Sequence, residues 1–272
     1  MEKSVMIIIG EKINGAIPSV AKAIAEKNAD WIRHLAKIQT EAGANFLDVC
    51  SAVPGKDVET LKWLIDLIQE VSDLPICIDS PNPHSIVEAI PFCKKPGLIN
   101  SVSLEGDKID TVFPAIAGTP WQVIALLSGK NKLSEAVEDR IEALEEIMQK
   151  VREYHIDESR VHVDPMVFSL GAIPDAYTGY AAVAKYTKEH YPKVHITSGL
   201  SNVSYGLPSR KTLNQAFLIL AMQVGMDCAI IDPTSRDMIG SICATEALLK
   251  IDEYCIEYIN AYNDDRFGIK KN

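Results

Sequence analysis

Seven short apolar stretches of this 272-residue chain stop on, or run straight into, a carboxylate or an amide. They are Ile8-Ile9-Gly10-Glu11, Phe46-Leu47-Asp48, Ile76-Cys77-Ile78-Asp79, Leu98-Ile99-Asn100, His162-Val163-Asp164, Gly199-Leu200-Ser201-Asn202 and Ile230-Ile231-Asp232. An ionised Asp in a largely apolar pocket needs hydrogen-bond donors to offset the loss of water. A heterocycle with adjacent N–H groups supplies them. Asn100 and Asn202 each add a donor and an acceptor, so the set outlines a flat, amide-rich ring such as a pterin or a purine. Ser80-Pro81 after Asp79 and Pro165 after Asp164 hold those two carboxylates at rigid positions. Taken singly, each of these residues also serves as a helix cap or a turn residue, and Asp48 and Asp232 are the readiest to be structural. Recurrence at seven places is what points to one shared site.

Residues this far apart meet only if the elements carrying them converge. Hydrophobic periodicity predicts strands at 5–9, 46–49, 76–78, 98–99, 122–126, 161–163, 194–196 and 228–231. Helices are predicted at 30–42, 58–71, 83–92, 109–117, 134–154, 174–190, 211–224 and 239–249, with Gly43 stopping the first. Eight strand–helix units with strands too apolar for a one-sided sheet predict a single-domain α/β fold over 1–272, an eight-stranded parallel (β/α)8 TIM barrel. A doubly wound sheet is disfavoured, because neither G-x-G-x-x-G nor G-x-x-x-x-G-K-[ST] occurs. The connections 165–173 and 201–210 are long, lie on the face that carries the chemistry of such barrels, and are candidate lids. An additional C-terminal helix at 251–262 is expected to cover the barrel or a neighbouring subunit.

Composition narrows the function. At 47% apolar and 24% charged residues the chain supports one large core. A formal net charge of −10 opposes nucleic-acid binding, and the one notable basic cluster is Lys270-Lys271. No run approaches the roughly 20 apolar residues of a membrane span, and no signal-peptide core is evident. Six cysteines without a Cys-x-x-Cys pair fit a reducing cytoplasm. The six histidines form no H-E-x-x-H or zinc spacing, so no catalytic metal is expected, and the absence of G-x-S-x-G argues against a serine hydrolase. Cys50 reads as a packed thiol that could face the site. Arg210, ahead of a helix, either neutralises an anionic ligand tail or is simply exposed.

In order and spacing, these motifs resemble the methyltetrahydrofolate–corrinoid methyltransferases of the pterin-binding barrel superfamily. The resemblance rests on Gly10-Glu11-Lys12-Ile13-Asn14-Gly15, on Glu41-Ala42-Gly43-Ala44 with Leu47-Asp48-Val49, and on Cys77-Ile78-Asp79-Ser80. Ile99-Asn100-Ser101, Val163-Asp164-Pro165 and Gly199-Leu200-Ser201-Asn202-Val203-Ser204 continue it, the last being the most specific. It implies a barrel, usually a homodimer, that binds tetrahydrofolate at the C-terminal ends of its strands. Asp79, Asn100 and Asp164 would bind the pterin, Gly199 and Ser201 would line the pocket, and Asn202 would reach the N5 that carries the methyl group. Glu11 and Arg210 carry over as further substrate contacts. No D-x-H-x-x-G corrinoid signature is present, so the cobalamin is expected on a separate corrinoid protein. Cys50-Ser51-Ala52, Ser80-Pro81-Asn82-Pro83 and Tyr205-Gly206-Leu207-Pro208 depart from the acetogenic members. That favours transfer from methylcorrinoid to tetrahydrofolate in a demethylation system. Methyl transfer towards the corrinoid in acetyl-CoA synthesis, dihydropteroate synthesis, a non-catalytic pterin-binding scaffold and the use of tetrahydromethanopterin remain the alternatives.

Overall fold

Alternation along the strands decides which side chains face each other. In the computed structural model, which describes residues 5–53, 55–130 and 135–269, the strands are β1 (Ile7–Asn14), β2 (Phe46–Cys50), β3 (Ile76–Asp79) and β4 (Leu98–Val102). They continue with β5 (Gln122–Leu126), β6 (Val161–Asp164), β7 (His195–Ile196) and β8 (Cys228–Ile231). All pair in parallel in the order β7-β6-β5-β4-β3-β2-β1-β8. The ring closes through a Gly199–Ile230 bridge and through Asp227 N–H to Ile196 O at 3.2 Å and Ile230 N–H to Ser198 O at 3.2 Å. This is the expected (β/α)8 barrel.

Ile9, Phe46, Cys77, Leu98, Ile124 and Cys228 pack together as the apolar plug inside the barrel. Leu47, Val49, Ile76, Ile78, Ile99, Val123 and Val163 face the helical layer. With a side-chain period of two, the inward position after each plug residue is two along the strand. After Ile9, Phe46, Cys77 and Leu98 those positions hold Glu11, Asp48, Asp79 and Asn100, after Ile124 and Cys228 they hold the apolar Leu126 and Ile230, and the same step from His162 and Ile230 reaches Asp164 and Asp232. The polar ring thus lies one layer above the plug.

The outer layer is α1 (Pro18–Ala25), α2 (Ala29–Glu41), α3 (Asp57–Ile68), α4 (Pro83–Ala89) and α5 (Lys108–Ile116), followed by α6 (Val137–Glu153), α7 (Ala176–His190), α8 (Arg210–Gln223), α9 (Arg236–Leu248) and α10 (Ile256–Asn263). α2 illustrates the local logic. Asn28 accepts a hydrogen bond from Trp31 N–H at 3.1 Å as its N-cap, Ile32, Leu35 and Ala36 form the buried face, and Gly43 at φ +89° ends the turn. Among the described residues no helix is long and apolar enough to cross a membrane.

Three details differ from the sequence reading. The first strand is longer and later than 5–9, because its register with β2 shifts between Gly10 and Ile13 and lets it run on to Asn14. α1 was not expected; it is short and starts with Pro18 in its first turn. The expected helix 251–262 is divided into a 3-10 turn, Glu253–Cys255, and α10. Tyr254 and Cys255 adopt left-handed φ values of 60° and 58°, and the reversal lets the Asp252 carboxylate cap α10 by accepting from Glu257 N–H and Tyr258 N–H at 3.1 and 2.9 Å. Ser134, the expected start of the helix observed as α6, and Lys270-Lys271 lie outside the described residues.

Candidate active site

The bulge in β1 presents the first site residue. Gln39, fully buried on α2, accepts from Lys12 N–H at 2.9 Å and returns its own amide N–H to Leu35 O at 3.1 Å. Its Oε1 lies where a Cβ on residue 10 would fall, 2.6 Å away, so Gly10 is required for this approach. Lys12 is thereby turned to pair with Asp232 at 2.6 Å, across the β1–β8 seam. Glu11 sits beside that pair. Burial, then the negative charge of Asp232, push its carboxyl up to about 7, so it carries or releases a proton near neutral pH.

Asp48, Asp79 and Asn100 form the next group. Asp79 and Asn100 are register neighbours on β3 and β4, and Asn100 Nδ2 donates to Asp48 Oδ1 at 3.2 Å. Asp48 is almost fully buried. Its carboxyl is raised by burial and then by the charge of Asp79, so the close pair favours one shared proton. Burial likewise raises Asp79, against a hydrogen bond from the Cys50 thiol. Cys50 therefore does face the site, while burial and the two carboxylates push its thiol up and keep it protonated.

Across the barrel, Asp164 is buried and accepts from Met166 N–H at 2.8 Å and from the Gly199 backbone N–H. Burial outweighs these donors and lifts its carboxyl to about 6. Gly199 thus ties the end of β7 to the acid at the end of β6. Beyond it, the 3-10 turn Leu200–Ser204 carries Asn202 on its exposed side, with no hydrogen-bond partner for that amide among the described residues. β7 itself is only two residues long, so Asn202 stands on a turn and not at a strand end.

The two long connections lie against each other. Leu170 N–H donates to Val203 O at 2.9 Å and Ser169 Oγ donates to Tyr205 O at 2.8 Å. Arg210 donates from Nε to Ser204 Oγ at 3.0 Å and from a terminal nitrogen to Ser201 O at 2.7 Å. Two of its donors therefore brace the Asn202 turn, a role that sequence reading missed. Asp57, at the start of α3, was also missed: it accepts from Ser51 Oγ and from Ser80 Oγ, joining the loops after β2 and β3 and adding a charge that raises Asp79. No local motif announces it, since its partners are 6 and 23 residues away. Beside Glu11, Ser201 and Asp232 opens a cleft of about 590 Å³ between α8 and α9, which also takes in Lys211 and Asn214. Asp79, Asn100 and Asp164 are not part of its lining.

Acids and amides ringed above an apolar plug at one end of a parallel barrel can seat a flat, donor-rich heterocycle. This chain belongs to the pterin-binding enzyme family, whose model matches residues 11–232. It is 45% identical over 266 residues to a methylcorrinoid:tetrahydrofolate methyltransferase of Eubacterium limosum, spanning 97% of this chain and 98% of that protein. A methionine synthase of Mycobacterium leprae is 29% identical over 245 residues, 85% of this chain but 20% of that longer protein. Among solved structures, a dihydropteroate synthase of Xanthomonas albilineans superposes with a TM-score of 0.68 at 17% identity, covering 92% of this chain and 96% of that one. That last likeness speaks for the fold. The family indicated by the sequence motifs is the one found.

Proposed function

We propose that the chain is a methyltransferase that moves a methyl group between a protein-bound corrinoid and N5 of tetrahydrofolate, running from methylcorrinoid to tetrahydrofolate in a demethylation system. The observation that carries this reading is the full-length, 45% likeness to a methylcorrinoid:tetrahydrofolate methyltransferase, with all the motif carboxylates and amides gathered at one end of the barrel. Asp79, Asn100 and Asp164 grip the pterin edge: the acids accept from its N–H groups, and Asn100 is oriented by its bond to Asp48. Gly199 and Ser201 form the wall next to the reacting atom. Glu11 and Arg210 complete the substrate side, Glu11 as a group able to hold a proton near pH 7 and Arg210 through its charge and its hold on the turn.

In this direction the N5 lone pair attacks the methyl carbon, the bond from cobalt to that carbon breaks with its electrons left on cobalt, and N5 then gives its proton to bulk water. Positive charge develops on N5. The Asn202 amide, exposed and without a partner among the described residues, accepts from N5–H and stabilises that charge; in reverse it strengthens N5 as a leaving group. The corrinoid arrives on a separate protein. The six free thiols accord with a reducing cytoplasm, and a homodimer is the proposed assembly, to be checked by sedimentation of the purified chain. The test of the reaction is anaerobic mixing of the protein with methylcobalamin or a methylated corrinoid protein and tetrahydrofolate, following the cobalt spectrum and methyltetrahydrofolate together. Both signals are expected to move in step. Absence of transfer from every corrinoid donor, with tetrahydrofolate still bound, would leave a pterin-binding scaffold, and dihydropteroate formed from a pterin pyrophosphate would make it a synthase.

A further inference from the structure

The ends of β2 and β3 meet on one carboxylate. Cys50 and Asp79, the last residues of those strands, are register neighbours, and the Cys50 thiol donates to Asp79. The next residue along each strand is a buried serine, Ser51 and Ser80. Both hydroxyls turn to Asp57 in the first turn of α3: Ser51 Oγ donates to Oδ1, and Ser80 Oγ to Oδ2 at 2.5 Å. Each serine oxygen also accepts from its own loop, from Val53 N–H at 3.4 Å and from Asn82 N–H at 3.1 Å. Ser80 N–H donates to Asn100 O at 3.2 Å, which carries the chain of bonds on to β4. An acid in the first turn of a helix ordinarily serves that helix, through its dipole or by capping its N–H groups. The bonds of Asp57 run sideways instead, one oxygen to each strand end, and hydrogen bonds to a charged acceptor are the strong ones.

We propose that Asp57 is a positioning residue for the pterin: through Ser51 and Ser80 it locks the ends of β2 and β3, so that Asp79 stands fixed to accept from the N–H edge of the ring. The assignment rests on the reading of Asp79 and Asn100 as pterin contacts. The same carboxylate also acts on Asp79 through its charge. Asp79 has Cys50 and Asp48 beside it from β2, Asn100 from β4 and Asp57 from α3, with Glu11 of β1 beyond Asp48. Burial raises its carboxyl to about 6, the Cys50 thiol opposes the rise and the Asp57 charge adds to it. Only the ionised carboxylate accepts from two N–H groups, so the grip on the ring fades as the pH falls through 6. Without the charge at position 57, Asp79 stays ionised to lower pH.

Anaerobic calorimetric titration of the full chain with tetrahydrofolate between pH 5 and pH 8, with methyl-transfer kinetics alongside, tests this on Asp57→Asn and Ser80→Ala. At pH 7.5 Asp57→Asn is expected to weaken tetrahydrofolate by about tenfold and to change kcat by less than about threefold, because the Asn202 turn is untouched. The fall of its affinity in acid should begin at lower pH than in the wild type. Ser80→Ala keeps the charge and drops one bond, so it should weaken tetrahydrofolate by about threefold or more with the acid fall left where the wild type has it. In the double variant the two losses should add incompletely, since Asp57 acts partly through Ser80. Glu11 and Asp164 titrate in the same range in all these proteins and cancel in the comparison. Wild-type affinity of Asp57→Asn overturns the assignment, and so does a loss with the acid fall unmoved, which would leave Asp57 a support of the fold alone. Should Asp57→Asn not fold, the Ser51→Ala/Ser80→Ala pair decides, and wild-type affinity there overturns the assignment equally. Failure of the wild type to bind tetrahydrofolate would instead sink the pterin reading, and this role with it.

Discussion

Asn202 and Asp164 have contrasting places in the proposed site. The Asn202 amide makes no hydrogen bond among the described residues, so its removal breaks none of theirs. Asn202→Ala is expected to lower kcat by about 10–100-fold while shifting the KM for tetrahydrofolate by less than about threefold, because the bond strengthens only as charge develops on N5. Wild-type turnover by this variant would remove Asn202 from the mechanism. Asp164 shows the cost of preparing a site. Its folded carboxyl lies at about 6, above the ordinary 3.8, so its contribution to stability is fully present below about pH 3.8 and is lost as the pH rises through 6. Roughly two units correspond to about 3 kcal/mol. Asp164→Asn does not titrate, so its stability relative to wild type should shift in its favour by up to about 3 kcal/mol between pH 4 and pH 8, while pterin binding weakens. Urea unfolding at the two pH values reads the shift; a gap independent of pH would contradict it.

At the scale of elements, the Asn202 turn depends on its neighbours more than on itself. It spans five residues, too few to hold a shape alone, and is braced by Arg210 from the start of α8 and by the connection after β6. Arg210→Ala should lower kcat by about tenfold, since a small misplacement of a reacting group is costly in rate. Arg210→Lys should not restore it, because an ammonium cannot reproduce the two-pronged hold on Ser201 O and Ser204 Oγ. Full rescue by Lys in steady-state kinetics would show that only the charge matters. The existence of both long connections was legible from their Gly, Pro and Ser content. Their mutual bonds were not, because Leu170 and Val203 are joined through backbone groups, which every residue possesses.

For the molecule as a whole, the floor of the barrel sets the behaviour in acid. His162 is buried there, stacked on His195 at 4.7 Å between ring centres and bonded to Gln122 Oε1 at 2.6 Å, with Asp227 and Lys188 nearby. Burial, then the neighbouring His195, depress its ring from 6.5 to about 3. A folded value below the unfolded one means that the stabilisation is complete above about pH 6.5 and is lost as the pH falls. By pH 5 the loss amounts to about 2 kcal/mol. His162→Met removes the titration, so the stability gap between variant and wild type should move by about 2 kcal/mol in favour of the variant between pH 7.5 and pH 5. Thermal unfolding in matched buffers measures this, and a constant gap would refute it. The difference also cancels the opposite trend of Glu11 and Asp164, which are common to both proteins.

The sequence by itself determined the barrel and the identity of the ring residues. Both follow from short-range pattern: apolar runs of strand length alternating with helical periods, and a polar residue two positions beyond Ile9, Phe46, Cys77 and Leu98, where the period of a strand must turn it inward. Gly10-Glu11-Lys12 and Gly199-Leu200-Ser201-Asn202 carried the family in the same local way. Only the tertiary structure decided how those residues act on one another. That Asp48 orients Asn100, that Lys12 cancels Asp232, that Asp57 joins two loops and that Asn214 is left with an unanswered acceptor are all matters of distance between segments remote in sequence. Burial and pairing are set by the closed ring, and no local run of residues encodes them.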